Sequence, residues 1–355
     1  MELDDVLARI GPIDPRAQRS AELRQQQLTK PPGSLGRLEE LSVQLAGIFR
    51  TERPTPRGKA VIVAAADHGV VAQGVTGYPR EVTAQMVRNF LEGGAAVNVM
   101  ARKAGVDLVV VDAGLAALLP EHPGLRVARA GRGTADMTRG PAMSRVQAEQ
   151  CLNAGISLAL EVAEDGADII GAGEMGIGNT TASSAITAAL TGRPLNETTG
   201  RGTGRNEAEM AHKVAVVERA LEVNQSNPDD GLDVLAKVGG FEIGVLAGVV
   251  LGGALARRVV VLDGFVSTAA GLIAHRLCPH VGGYLVASHL SAEQGHRVAL
   301  AHLGLRPLLD LGMRLGEGTG AVLAMGLIET AAACLTEMAT FAEAGVSVGA
   351  DGEAD

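Results

Sequence analysis

The sequence predicts an α/β protein: an open parallel sheet flanked by helices, with a small helical subdomain built from both chain ends. Three observations predict it. From about residue 60 to 290, short β-branched runs alternate with longer helical patterns, as in successive βαβ units. Those runs are apolar throughout, the pattern of strands covered on both faces. Both chain ends lack such runs and show helical spacing instead. The expected division is 1–55 with 305–355 for the discontinuous helical subdomain, and 56–304 for the sheet domain carrying most of the site.

In chain order, residues 35–50, LGRLEELSVQLAGIFR, put Leu35, Leu38, Leu41, Leu45 and Ile48 on one helical face. The strand candidates follow: AVIVAAADHG (60–69), DLVVVDAG (107–114), a weaker GLRVARA (124–130), ADIIGAGE (167–174), RVVVLDGF (258–265) and GYLVASHLS (283–291). The closing stretch, GAVLAMGLIETAAACLTEMATFAEAG, is helical in pattern. The strong candidates end in acids, hydroxyls or imidazoles: Asp67 and His68, Asp112, Glu174, Asp263, Ser288 and His289. In open α/β sheets ligands bind at the carboxyl edge, where these groups would gather. Asp and Gly are also ordinary turn formers after strands. GRGT recurs at 131 and 200 without a fixed period, so no repeat architecture is expected.

Composition narrows the function. The 355 residues are 46% hydrophobic and 20% charged, enough for a sizeable core. With no Trp, two Tyr and five Phe, stacking platforms for single strands are not expected. The net charge of −9 argues against binding a phosphate backbone and favours a small-molecule partner. Cys151, Cys278 and Cys334 form no CxxC pair, which fits reduced thiols better than a disulfide frame. The acidic start, MELDD, lacks the pattern of a signal peptide. The longest uncharged apolar run, Ile243 to Ala256, falls short of the roughly 20 residues a spanning helix needs. A cytoplasmic protein without membrane association is expected.

Four motifs hold candidate chemistry. GAGEMGIGNTT (171–181) contains Gly171, Gly173 and Gly176 in the GxGxxG pattern of dinucleotide folds. Glu174 stands inside that loop, however, and two like charges 4 Å apart repel by about 4 kcal/mol at an effective dielectric near 20. The following helix start can still receive one phosphate, or Asn179 can serve simply as its N-cap. GRGTGRNE (200–207), with Gly202 and Gly204, precedes a helix carrying Lys213, a possible phosphate clamp or a surface lysine. In SHLSAEQGH (288–296), His289, Glu293 and His296 could share a helix face as metal ligands; without HExxH a hydrogen-bonded pair is favoured, no metal is expected, and Ser291 fits as N-cap. MRLGEGTGA (313–321) sets Glu317 alone among glycines.

Eight stretches taken together resemble the nicotinate-nucleotide:dimethylbenzimidazole phosphoribosyltransferases. They are TKPPGSLGRLEEL (29–41), ADHGV (66–70), GPAMSR (140–145), GEMGIGNTT (173–181), KVGGFEIG (237–244), LDGF (262–265), SHLSAEQGH and MRLGEGTGA. The resemblance implies transfer of ribose phosphate from nicotinate mononucleotide to dimethylbenzimidazole, giving α-ribazole phosphate and nicotinate for the cobalamin nucleotide loop. It implies a homodimer, a parallel-sheet domain with a small helical one, and no metal or organic cofactor.

That chemistry wants one base and no acid. The leaving pyridinium departs as a neutral ring, whereas the attacking benzimidazole becomes cationic unless its second nitrogen loses a proton. The resemblance puts the proton acceptor at Glu317, and Glu174 is assigned to positive charge on the ribose or to its hydroxyls. Gly176, Asn179, Thr180, Gly202, Lys213, Asp263, Gly264 and Ser291 are expected around phosphate and ribose. Tyr78, Gln85, Met86, Met175 and Leu315 are expected around the base. A dinucleotide-dependent oxidoreductase and a non-catalytic nucleotide sensor are the alternatives, both resting on the same glycine loops.

Overall fold

The computed structural model describes residues 2–200 and 207–347. Helices α1 (Leu3–Arg9), α2 (Pro15–Gln27) and α3 (Arg37–Phe49) precede strand β1 (Gly58–Ala66). A 3₁₀ turn, Gly69–Gln73, leads to α4 (Val82–Leu91), α5 (Ala96–Ala104), β2 (Asp107–Gly114) and β3 (Leu125–Val127). The chain continues through α6 (Arg145–Glu164), β4 (Ala167–Met175), α7 (Asn179–Thr191), α8 (Leu195–Thr198), α9 (Glu207–Asn224), α10 (Gly231–Val238) and α11 (Phe241–Leu255). It ends with β5 (Val259–Leu262), α12 (Phe265–Leu277), β6 (Leu285–Ala287), α13 (Gln294–Leu303), α14 (Thr319–Glu337) and α15 (Phe341–Ala344).

Local chemistry starts several helices where they start. Asp14 caps α2 by accepting from the Arg16 and Ala17 N–H groups, with Pro15 at the first helical position. Ser144 and Gln147 form a capping box on α6, and Asp230 caps α10. The six strands form one parallel sheet in the order β3-β2-β1-β4-β5-β6. Every expected strand is present, including the weak GLRVARA, which becomes edge strand β3 against β2. From Ala60 to Ala66, β1 is fully buried, as a strand with helices on both faces must be. The order reverses between β1 and β4, which opens a crevice at their carboxyl ends.

Two packing features position the site. Helices α6 and α11 meet backbone to backbone: a Cβ at Gly155 would collide with the Val245 carbonyl, and one at Gly248 with the Leu152 carbonyl. At the chain ends, Arg24 donates from Nε to the Leu335 carbonyl at 2.7 Å and from Nη2 to the Met338 carbonyl at 3.1 Å. Leu28 and Thr340 form an antiparallel bridge beside them. Helix α14 belongs to two neighbourhoods, packing on α2 and α3 but also on α5, β1, β4 and β5. It is long and apolar enough to cross a membrane by length and composition, unlike the run noted in the sequence, yet 56% of its apolar window is buried inside this fold.

Candidate active site

Glu317 lies in a turn that only glycine neighbours permit. Gly316, Glu317 and Gly318 have φ of 85°, 63° and 84°, three successive left-handed residues. A glutamate there is strained, which costs on the order of 1 to 3 kcal/mol and persists only where surroundings hold it. They do. The Glu317 N–H donates to the Glu174 carbonyl at 3.2 Å, and the Gly318 N–H donates to Asp263 Oδ2 at 3.1 Å. Gly173 on β4 lets the turn lie against the strand, since a Cβ there would sit 2.8 Å from the Glu317 carbonyl oxygen. A side chain on Gly316 would collide with the Glu174 carboxyl.

The Glu317 carboxyl is buried, and burial raises its pKa above the ordinary carboxylate value, opposed by the nearby Val97 backbone N–H. Its Oε2 has no hydrogen-bond partner among the described residues. Glu174 is half-buried, and desolvation pushes it up to about 8; the Asn179 amide opposes that shift, while Glu242, Asp263 and Glu317 add to it. Both acids line a cavity of about 390 Å³ at the carboxyl edge of the sheet.

Phosphate-type groups line the same cavity. Gly176, Ile177, Gly178, Asn179 and Thr180 bring the N-terminus of α7 to it. Lys213 is no surface lysine: it is 1% exposed, and its Nζ donates to Thr180 Oγ1 at 2.8 Å and to the Gly200 carbonyl at 3.3 Å. Gly264, Ser291 and Glu293 complete the far wall. Tyr78, Met86, Met175 and Leu315 line the apolar side, with Tyr78 and Leu315 half exposed at its rim.

Several expectations change. Gln85 is exposed and does not line the cavity, because its neighbour Met86 takes the inward face of α4. Asp263 stands behind the cavity wall, where Oδ1 accepts from the Gly320 and Ala321 N–H groups at 2.6 and 3.0 Å and Oδ2 from Gly318. It therefore anchors the start of α14, and burial raises its pKa to about 7 against those donors. Asn179 is the first residue of α7, not its cap; Gly178 takes that position and the Asn179 amide bonds Glu174. Helix α13 begins at Gln294, so His289 and Glu293 precede it and share no helix face with His296. No group of three metal-type ligands occurs among the described residues. Asp67 and Asp112 turn aside, accepting from Ala116 N and Leu115 N. Gly202 and Gly204 lie outside the described residues.

The GxGxxG glycines have other uses. Gly171 makes room for Met325, Gly173 for the Glu317 peptide, and Gly176 for Glu242, whose Oε1 would be 3.0 Å from a Cβ there. Glu242 is fully buried and bonds His68 through Nε2···Oε1 at 2.6 Å. Sequence reasoning missed this pair beneath the loop, although an acid opening the apolar run of α11 was a signal. His289, expected at the carboxyl edge as a strand-end group, does line the cavity, whereas Phe265, Val266 and Arg314 were missed as lining residues.

Residues 10–346 match the model of a family described as phosphoribosyltransferase. The chain belongs to that phosphoribosyltransferase family. It is similar to the nicotinate-nucleotide–dimethylbenzimidazole phosphoribosyltransferase of Roseiflexus sp. (strain RS-1), 59% identical over 345 residues, 97% of this chain and 98% of that one. The enzyme of the same name from Chloroflexus aggregans is 58% identical with the same coverage. The crystal structure of the nicotinate-nucleotide–dimethylbenzimidazole phosphoribosyltransferase from Thermus thermophilus superposes with a TM-score of 0.90 at 49% identity, covering 95% of this chain and all of that one. The family assigned on motifs and the parallel-sheet fold both stand.

Proposed function

We propose that this phosphoribosyltransferase moves the ribose phosphate of nicotinate mononucleotide to dimethylbenzimidazole, giving α-ribazole phosphate and nicotinate for the cobalamin nucleotide loop. The observation that carries the mechanism is Glu317, a buried carboxylate in a strained turn with Oε2 unpartnered among the described residues, on the wall of a cavity that also holds Lys213 and the α7 N-terminus. The benzimidazole lone pair attacks C1′ of the ribose. The bond to the pyridinium breaks with its electrons on the departing ring nitrogen, and Glu317 takes the proton from the second azole nitrogen. General-base assistance of this kind contributes about 10²- to 10⁴-fold.

Gly176, Asn179, Thr180 and Lys213 hold the phosphate, with Gly264 and Ser291 beside the sugar. Glu174, protonated in the free protein, is ionised by the nearby positive charge of the bound pyridinium nucleotide and faces the charge that develops on the ribose. Met86, Met175, Tyr78 and Leu315 receive the methylated ring. The two chain ends act as one helical subdomain, supported by the Arg24 and Leu28 contacts with the last helices. The working form is a cytoplasmic homodimer; exposed Val99 and Leu323, on helices that pack together, are apolar surface a second copy would cover. Light scattering of the pure protein should return twice the mass of one chain.

The deciding experiment mixes purified protein with nicotinate mononucleotide and dimethylbenzimidazole and follows nicotinate by chromatography. Glu317→Gln should lose about 10²- to 10⁴-fold in kcat with little change in KM. Equal turnover by wild type and variant removes the base assignment.

A further inference from the structure

His289 follows β6 at the carboxyl edge and lines the cavity. Its neighbours fix its tautomer. Ser288 Oγ donates its single proton to the Asp263 carbonyl at 2.7 Å, so in its 3.1 Å contact with His289 Nδ1 the hydroxyl must accept. Nδ1 therefore carries the ring proton. Burial holds the His289 pKa below the ordinary imidazole value, so the ring is neutral and Nε2 presents a bare lone pair.

The second histidine gives the contrast. His296 Nδ1 accepts from the Ser291 N–H at 2.9 Å, and its Nε2–H donates to Thr268 Oγ1 at 2.9 Å, whose own proton goes to the Gly264 carbonyl at 2.8 Å. Both of its nitrogens are used within the protein. For His289 Nε2, no described protein group takes that place. A side chain on Gly264 would begin 3.8 Å from this atom and 3.9 Å from Ser291 Cβ. Gly264 and Ser291 both line the cavity, so glycine at 264 leaves a slot from the cavity to Nε2.

We propose that His289 Nε2 accepts a hydrogen bond from a ribose hydroxyl of the nucleotide, so that His289 contacts substrate and selects ribose over deoxyribose; this rests on the ribosyl-transfer reading above. A lone pair in the cavity needs a donor. The substrate's phosphate and pyridine carboxylate are acceptors, and the azole N–H goes to Glu317. The remaining donors are the 2′ and 3′ hydroxyls.

The test crosses variants with substrates. Wild type, His289→Phe and His289→Gln are assayed on nicotinate mononucleotide and on its 2′-deoxy and 3′-deoxy analogues. His289→Phe should lower kcat/KM for the ribonucleotide about three- to tenfold, the worth of one neutral hydrogen bond, and cause no loss on the analogue lacking the bonded hydroxyl. His289→Gln, whose amide oxygen reaches the Nε2 position, should keep most of the rate. An equal loss on all three substrates, or no loss on any, overturns the proposal. Should the variants fold poorly, the ¹⁵N resonance of Nε2 in the wild type decides. It should move on saturation with the ribonucleotide and stay put with one deoxy analogue, and an unmoved resonance with the ribonucleotide overturns the assignment. Wild type that releases no nicotinate removes the parent reading; normal release without coupling removes only this one.

Discussion

A strained, buried carboxylate should reveal itself in pH profiles. Because burial raises Glu317, and only its ionised form accepts a proton, kcat at saturating substrates should fall with acid along a limb above the ordinary glutamate value of 4.5. A limb at or below that value would contradict the geometry. Glu174 offers a stability test. Its pKa rises from 4.5 unfolded to about 8 folded, so its contribution is complete below 4.5 and is lost as pH rises through 8. Glu174→Gln should therefore gain Tm over wild type as pH rises from about 5 to about 9, and a constant offset would argue against a neutral acid in the folded protein. At this scale the sequence was partly legible. Glu317 among glycines could be read because strain and close approach leave a compositional mark. His289 could not be read as an acceptor, because its tautomer depends on where Ser288 sends its proton.

The turn that holds Glu317 is itself held by an element far away in sequence. Asp263, just past β5, accepts three N–H groups at the start of α14. Asp263→Asn would turn an amide donor toward some of those donors and should cost on the order of 3 kcal/mol, read in urea unfolding. In the folded fraction kcat should fall far more than KM changes, because the base is mis-set while the binding walls remain. A variant with normal kcat and a raised KM for the nucleotide would return Asp263 to the sugar. Five strands were legible because burial makes them apolar; edge strand β3, largely exposed and carrying Arg126, read only weakly. The start of α13 was not. Ser291 has an N-cap side chain, but its N–H is taken by His296, and the chain runs on as a loop to Glu293.

The whole molecule depends on ties between its chain ends and its sheet. Arg257 donates to the Ile48 and Gly47 carbonyls at 2.9 and 2.8 Å and to Tyr284 Oη at 2.8 Å, and Gln44 reaches the Gly283 and Leu285 carbonyls. Arg257→Met should cost about 2 kcal/mol and lower Tm by a few degrees while leaving kcat/KM unchanged below the melting range. A loss of activity in step with Tm would show that these ties reach the chemistry. Such ties were not legible, since all but the Tyr284 contact join residues far apart in the chain through a carbonyl that any residue carries. The seam between α6 and α11 bears on attempts to make the enzyme withstand heat. Exchanging helical glycine for alanine commonly raises heat resistance by about 0.4 to 1 kcal/mol. At Gly155 and Gly248 the added methyl would wedge the two helices apart, and the shift would travel along α11 to Glu242 and the floor under Gly176. A consensus-minded engineer would spoil both hardiness and turnover at those two positions.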